Sequence, residues 1–65
     1  MKVFLVILFA LDNGMIIRGD DYGDGWAARE QPSFAVCLKR AKYMYANPAP
    51  LPQGVKAMVQ FCEVR

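Results

Sequence analysis

The sequence contains no histidine and only two cysteines, Cys37 and Cys62, among its 65 residues. Without histidine, Ser–His and Cys–His nucleophilic pairs and histidine-based metal sites are excluded. Two cysteines are too few for the class of small proteins held together by many disulfides. We therefore expect no catalytic residue, no metal site and no cofactor, and we predict that the protein is not an enzyme.

Charge is also scarce, because charged residues make up 22% of the chain and the formal net charge is +2. This excess is too small to indicate binding to nucleic acid or to acidic membranes on electrostatic grounds alone. The hydrophobic fraction of 55% is not that of a disordered chain. We predict one domain, residues 1–65, which is only marginally stable unless it is cross-linked or assembled.

Polar residues are missing from residues 3–11, which read Val-Phe-Leu-Val-Ile-Leu-Phe-Ala-Leu. A strand with one face in water alternates apolar and polar residues, so this strand is expected to be covered on both faces. The alternative is an uncleaved signal peptide, since Lys2 precedes the apolar run. No A-x-A cleavage site follows, and the run is too short to span a bilayer. We favour the structural strand.

Asn13-Gly14 predicts a type I′ hairpin turn, after which a short second strand begins at Met15. Residues 19–25 are rich in glycine and aspartate and predict a surface loop, or a strand broken by a bulge. Residues 26–30 either re-enter the sheet or form a short turn.

A helix is predicted over residues 34–46, where apolar residues recur at helical spacing. Ser33 is the expected N-cap, and Pro48 prevents the helix from continuing. Residues 47–54 carry three prolines and predict a stiff connector, with a proline-rich ligand segment as the alternative. Residues 55–65 are the last strand.

These elements predict an α+β fold with the chain order ββαβ. The helix returns the chain to the sheet, and the last strand lies beside the first. We expect a three-stranded antiparallel sheet in the order 2-1-3, with one helix packed on one face. The most apolar strand is then central.

Cys37 lies on the apolar stripe of the predicted helix and Cys62 lies in the last strand. We predict a disulfide between them, which would close a loop of roughly 25 residues and contribute roughly 3–3.5 kcal/mol. Two unlinked buried thiols are the alternative in a reducing compartment. A reactive cysteine is a further alternative, for which no general base is recognisable.

If Cys62 faces the helix, alternation along the strand places Val59 and Phe61 on the opposite face. With apolar side chains of the first strand they would form a patch of roughly several hundred Å², more than a monomer usually leaves bare. The predicted interface is Leu5, Ile7, Val59 and Phe61, with Tyr22 and Trp26 as a second contact. The alternative is that residues 19–31 fold back and cap this face.

Asp20, Asp21 and Asp24 lie at a spacing that partly matches a calcium-binding EF-hand loop. The final position, which requires a glutamate, falls on Gln31, and a second ligand position also fails. The expectation is a solvated turn and no metal site, and the alternative is a weak, adventitious cation site.

The chain resembles a set of very small, mostly uncharacterised proteins of tailed bacteriophages and their bacterial hosts. The matching segments are Val3–Ala10, Asn13-Gly14, Ser33 with Cys37, and Cys62-Glu63-Val64. The resemblance implies a small accessory role, such as that of a virion component, and no enzymatic activity.

The sequence is therefore compatible with three functions. The first is a minor capsid or tail component that packs on a larger protein, or on itself, through the apolar sheet face. The second is a secreted or periplasmic disulfide-bonded binding or inhibitor module. The third is a nucleic-acid or host-protein binder that acts through Lys39, Arg40 and Lys42 on the helix. A solvated helix face is the simpler explanation of those three cations.

Overall fold

The computed structural model describes all of residues 1–65 except the side chain of Asp24. The elements in chain order are β1 (Val3–Leu11), β2 (Ile16–Arg18), the single helical turn α1 (Gly19–Tyr22), a 3-10 turn (Asp24–Trp26), β3 (Arg29–Gln31), α2 (Phe34–Ala46) and β4 (Val55–Val64). The predicted α+β fold and the order of its main elements are confirmed. Residues 29–31 add a short strand that the ββαβ order does not include.

β1 is the central strand and is antiparallel to each of its neighbours. β4 runs along one side of β1, from Val3 paired with Val64 to Leu11 paired with Val55. On the other side, β2 pairs with the end of β1 and β3 pairs with its beginning. The predicted placement of the last strand beside the first is therefore confirmed, and β3 continues the edge that β2 begins.

The hairpin between β1 and β2 differs from the predicted type I′ turn. Gly14 has a φ of +89°, but no non-glycine residue has a positive φ, whereas a type I′ turn requires one at Asn13. The Gly14 N–H donates to the Leu11 carbonyl at 3.0 Å, and the Leu11 N–H donates to the Met15 carbonyl at 2.7 Å. The turn is thus centred on Asp12 and Asn13, with Gly14 supplying the left-handed residue of a bulge.

The helix α2 occupies the predicted residues, Phe34–Ala46. The Ser33 Oγ accepts a hydrogen bond from the Val36 N–H at 3.2 Å, which confirms the N-cap. At the other end, the Asn47 backbone N–H donates to the Tyr43 carbonyl at 2.9 Å. A disulfide joins Cys37 to Cys62 with their Cα atoms 6.1 Å apart, as predicted, and it attaches α2 to β4.

Residues 19–25 form α1 and the start of the 3-10 turn instead of the predicted loop or bulged strand. Gly19 is buried where β2 passes into α1, and a Cβ atom there would clash with the Trp26 carbonyl oxygen. This close approach folds residues 19–26 back against the sheet, so a segment with many loop-forming residues becomes compact.

The core is small, and its fully buried side chains are Val6, Phe9 and Cys37. Cys62 faces α2 because it is bonded to Cys37, and Leu5 pairs with Cys62 and so lies on the same face. Phe9 is four residues further along β1, and alternation of side chains therefore places it on that face as well. The Phe9 ring packs edge-on against the rings of Tyr22, at 4.9 Å between centroids, and Trp26, at 5.1 Å. The two aromatic side chains therefore extend the cover that α2 gives to this face.

Candidate interaction surface

The pairing of β1 with β4 divides the predicted interface between the two faces of the sheet. Leu5 pairs with Cys62, and Ile7 is two residues further along β1, so both lie on the face covered by α2. Val59 and Phe61 alternate with Cys62 along β4 and lie on the opposite face. The four residues thus do not form one surface, and the prediction that they share a face is wrong. β1 is apolar on both sides, so the sequence of this strand alone does not show which of its residues face α2.

We call the face away from α2 the open face. Its residues follow from the pairing registers and from the alternation of side chains along each strand. They are Phe4, Val6, Leu8 and Ala10 of β1, Ile16 and Arg18 of β2, Glu30 of β3, and Ala57, Val59, Phe61 and Glu63 of β4.

An ion pair crosses the open face from one edge strand to the other. The Arg18 Nη2 lies 2.9 Å from the Glu63 Oε2, although the two residues stand on opposite sides of β1. Arg18 pairs with Leu8 and Glu63 pairs with Phe4, so the line between them passes over Val6. Val6 is fully buried, which fits this position under the ion pair.

Two further charges extend this ion pair into a cluster. The Asp20 Oδ2 lies 3.3 Å from the Arg18 Nη2, and the Arg65 Nη2 lies 3.3 Å from the Glu63 Oε2. The Arg65 guanidinium also sits 4.3 Å from the centroid of the Phe4 ring, within the range of a cation–π contact. We call these four charged residues the ionic cover. It includes Asp20, which belongs to residues 19–31, the segment considered as an alternative cover of this face, whereas Trp26 of the same segment packs on Phe9 on the other face.

The ionic cover is charged at neutral pH. The backbone N–H of Ala28 donates to the Asp20 carboxylate and lowers the pKa of that group, as does the hydrogen bond from Arg18. Hydrogen bonds from Arg18 and Arg65 likewise lower the pKa of Glu63. Both carboxylates therefore stay ionised well below neutral pH, and neither is suited to act as a general acid.

The other end of the open face is apolar and exposed. The side chain of Ile16 is 69% exposed and that of Val59 is 58% exposed. Ile16 shares a cross-strand row with Ala10 and Ala57, and Val59 lies beside Leu8 in the next row on this face. We call these five residues the apolar end. Apolar residues grouped in this way on one face of a sheet offer a surface on which another molecule can pack.

The outer edge of β4 borders the apolar end. Within the described part of the chain, β4 pairs only with β1. Lys2 and Arg65 exchange both backbone hydrogen bonds, each at 2.8 Å. Alternation of the antiparallel ladder then directs the N–H of Val59 toward β1 and the N–H of Met58 and Gln60 outward. These outward groups form a free edge that can pair with another strand.

The two aromatic residues predicted as a second contact are partly engaged within the protein. The Tyr22 hydroxyl donates to the Gln53 carbonyl at 3.5 Å, and its side chain remains 38% exposed. Trp26 is half-buried on Phe9. They lie on the helix side of the sheet, so the structure does not join them to the apolar end.

The aspartates compared with a calcium loop do not form a cluster of ligands in the part of the chain that the structure describes. Asp20 is occupied by its hydrogen bonds to Arg18 and Ala28, and the side chain of Asp24 lies outside the described residues. Elsewhere in the described structure, no three histidine, cysteine, aspartate or glutamate side chains cluster as metal ligands would. The described helices are too short or too polar to cross a bilayer.

No protein-family model matches the chain, and no curated protein or solved structure is significantly similar to it. The fold and disulfide define a small disulfide-bonded α+β protein. Its function must therefore be inferred from its surfaces. The roles of Arg18, Glu63 and Arg65 were not predicted from the sequence. Arg18 ends the otherwise apolar β2, whereas Glu63 and Arg65 lie at the end of β4, which also carries Lys56 and Gln60.

Proposed function

We propose that this protein is a non-enzymatic interaction protein that packs on a larger protein through the apolar end and the free edge of β4. The observation that carries the proposal is the exposure of Ile16 and Val59 beside an unpaired strand edge. Complete burial of an aliphatic side chain contributes about 1.5–3 kcal/mol. Scaled by the exposed fractions, covering these two would contribute roughly 2–4 kcal/mol to association.

The partner would add a strand to the sheet beside β4. Its backbone would pair with the outward N–H and C=O groups of Met58 and Gln60, and its side chains would meet Val59 on the open face. Backbone pairing of this kind gives affinity, while the side chains on alternate positions give specificity. The ionic cover limits the apolar contact to one end of the sheet.

The resemblance to small phage proteins makes a capsid or tail protein of a virion the first partner to test. The disulfide supports an oxidising setting, outside the cell or in the periplasm, for the folded protein. A secreted or periplasmic binding module is therefore the second candidate, and it would use the same surface. Mass spectrometry of purified virions distinguishes the two, since only a virion component is retained in stoichiometric amount.

Site-specific photo-crosslinking tests the surface itself. A benzophenone amino acid at position 59 is expected to form a crosslink to one partner in the native assembly, and the Ile16→Glu substitution should abolish it. The matched control is the same probe at position 64, because Val64 is a valine of the same strand, is 47% exposed and lies on the other face. Equal crosslinking from both positions would contradict the proposal. A crosslinked product of twice the chain mass would show that the partner is a second copy of this chain and not a larger protein.

Hydrogen exchange tests the pairing of β4. In the isolated protein, the amides of Met58 and Gln60 should exchange quickly, while those of Val59 and Phe61 should be protected by β1. In the assembly, all four should be protected. If Met58 and Gln60 still exchange freely in the assembly, β4 does not pair with the partner.

A further inference from the structure

A groove opens beside α2 on the opposite side of the sheet from the apolar end. Its volume is about 580 Å³, within the range of sites that hold small ligands or a few side chains of a peptide. The residues that line it are Leu5, Val36, Lys39, Arg40, Tyr43 and Met44. We propose that this groove, here called the helix groove, binds an acidic peptide segment of a partner protein that carries an apolar anchor residue.

Charge around the helix groove has one sign. Residues 31–62 contain four cations and no aspartate or glutamate. Two of those cations, Lys39 and Arg40, line the groove. Arg29 pairs with Leu5 and so lies on the same face, whereas the neighbouring Glu30 pairs with Phe4 and lies on the open face. A ligand in the groove would therefore meet positive charge from both α2 and β3, which favours an anionic partner.

One of the cations is held in place by a buried side chain. Gln31 is only 6% exposed. Its Nε2 donates to the Arg29 carbonyl at 3.0 Å, which fixes the amide, and its Oε1 accepts from the Arg40 Nη1. A guanidinium has five N–H donors, so the others stay available for a carboxylate. Because the position of Arg40 is fixed in advance, less entropy is lost when a ligand binds.

The lining favours a peptide over a nucleic acid. Leu5, Val36 and Met44 give the groove an apolar wall, which matches an aliphatic or aromatic side chain and gains nothing from a phosphate backbone. Tyr43 is 69% exposed at the rim and can cover such an anchor side chain. Two cations beside an apolar cavity match a segment in which carboxylates flank one apolar residue.

Fluorescence polarisation with a labelled peptide tests the proposal. The probe is a peptide of alternating glutamate and aspartate with one central phenylalanine, and the comparison peptide has serine in place of phenylalanine. Lys39→Gln and Arg40→Gln should each weaken binding of the probe by about tenfold, as expected for loss of one charge-assisted hydrogen bond. The serine peptide should bind about tenfold more weakly to the unaltered protein.

The matched control is Lys56→Gln, which removes the same charge from an exposed position of β4 outside the groove and should change the affinity less than twofold. Arg40→Gln also removes the hydrogen-bond partner of the buried Gln31, so this variant could lose binding because it misfolds. Lys39→Gln does not disturb that hydrogen bond and therefore tests the groove in a folded protein. Equal weakening by Lys56→Gln, equal binding of the serine peptide, or no binding of the probe at millimolar concentration would each overturn the proposal. Tighter binding of a thymidine oligonucleotide through Lys39 and Arg40 would replace it with a nucleic-acid site.

The helix groove and the apolar end can be tested separately. Val59→Glu should leave binding of the acidic peptide unchanged, because Val59 lies on the other face of the sheet. Lys39→Gln should leave the crosslink from position 59 unchanged. Failure of either proposal is therefore distinguishable from failure of the other.

Discussion

Reduction of the disulfide should remove much of the stability of this protein. Cys37 and Cys62 are separated by 25 residues. The chain-entropy relation gives about 3.5 kcal/mol for a loop of that length at 25 °C. A domain of this size has a total unfolding free energy of roughly 3–10 kcal/mol. The reduced protein should thus lose a third of its stability or more, and at the lower limit it unfolds.

Urea unfolding followed by the fluorescence of Trp26 measures this effect, because the indole packs 5.1 Å from the Phe9 ring and becomes exposed on unfolding. A small domain has an m value of about 1 kcal/mol/M in urea, so reduction by a phosphine should lower the unfolding midpoint by about 3.5 M. The control is the double substitution of Cys37 and Cys62 by alanine, whose midpoint should not respond to the reductant.

A midpoint shift of less than about 1 M on reduction would refute the chain-entropy argument for this loop. It would mean that the reduced chain is held together by its core alone, although that core contains few fully buried side chains. The expected large shift would instead tie folding to an oxidising environment. The measurement therefore bears on where the protein can work as well as on its stability.

Three further predictions concern single positions. Gly19→Ala should destabilise the fold by about 1–3 kcal/mol, because the new Cβ meets the Trp26 carbonyl oxygen; Gly25→Ala, with open space around its Cβ, is the thermal-denaturation control and should be nearly neutral. Ser33→Ala should lower the urea unfolding free energy by about 1 kcal/mol through loss of the N-cap, and no change would show that the cap is not used. Glu63→Gln should destabilise the protein at pH 7. The pKa of Glu63 is lowered in the fold, so its contribution is full above the ordinary carboxyl pKa of about 4 and is lost as the pH falls through the folded pKa. The difference in stability between Glu63→Gln and the unaltered protein should shrink as the pH falls through the lowered pKa, and a difference that stays constant with pH would exclude an ionic origin.

The elements governed by local rules were predictable from the sequence. The bounds of α2 follow from a serine N-cap at Ser33, an apolar stripe at helical spacing and an asparagine followed by proline. The central place of β1 follows from its unbroken apolar run. The pairing of Cys37 with Cys62 follows from placing one on the helix stripe and one in the last strand.

The features set by distant residues were not predictable in the same way. Both faces of β1 are apolar, so only its register against β4 decides that Leu5 faces α2 and Val6 faces the ionic cover. The Arg18–Glu63 pair joins residues 45 apart in sequence and requires three strands to be in place.

The turn at Asn13 is a local feature that nevertheless differs from the predicted type I′ turn. The Asn13 Oδ1 accepts a hydrogen bond from the Met15 N–H, and the left-handed conformation falls on Gly14 alone.

The arrangement of the open face gives the proposed interaction a defined register. A strand that pairs with β4 passes Val59 at the apolar end and Glu63 at the ionic cover, four residues further along. If the partner slips by two residues, its apolar side chains move toward Glu63 and Arg65, where burial would remove water from charges without supplying a new partner for them. The ionic cover therefore does more than shelter Val6. It favours the one alignment in which the apolar residues of the partner contact the apolar end and go no further. Specificity then comes from the cost of desolvating the ionic cover in other alignments, and affinity comes from contact at the apolar end.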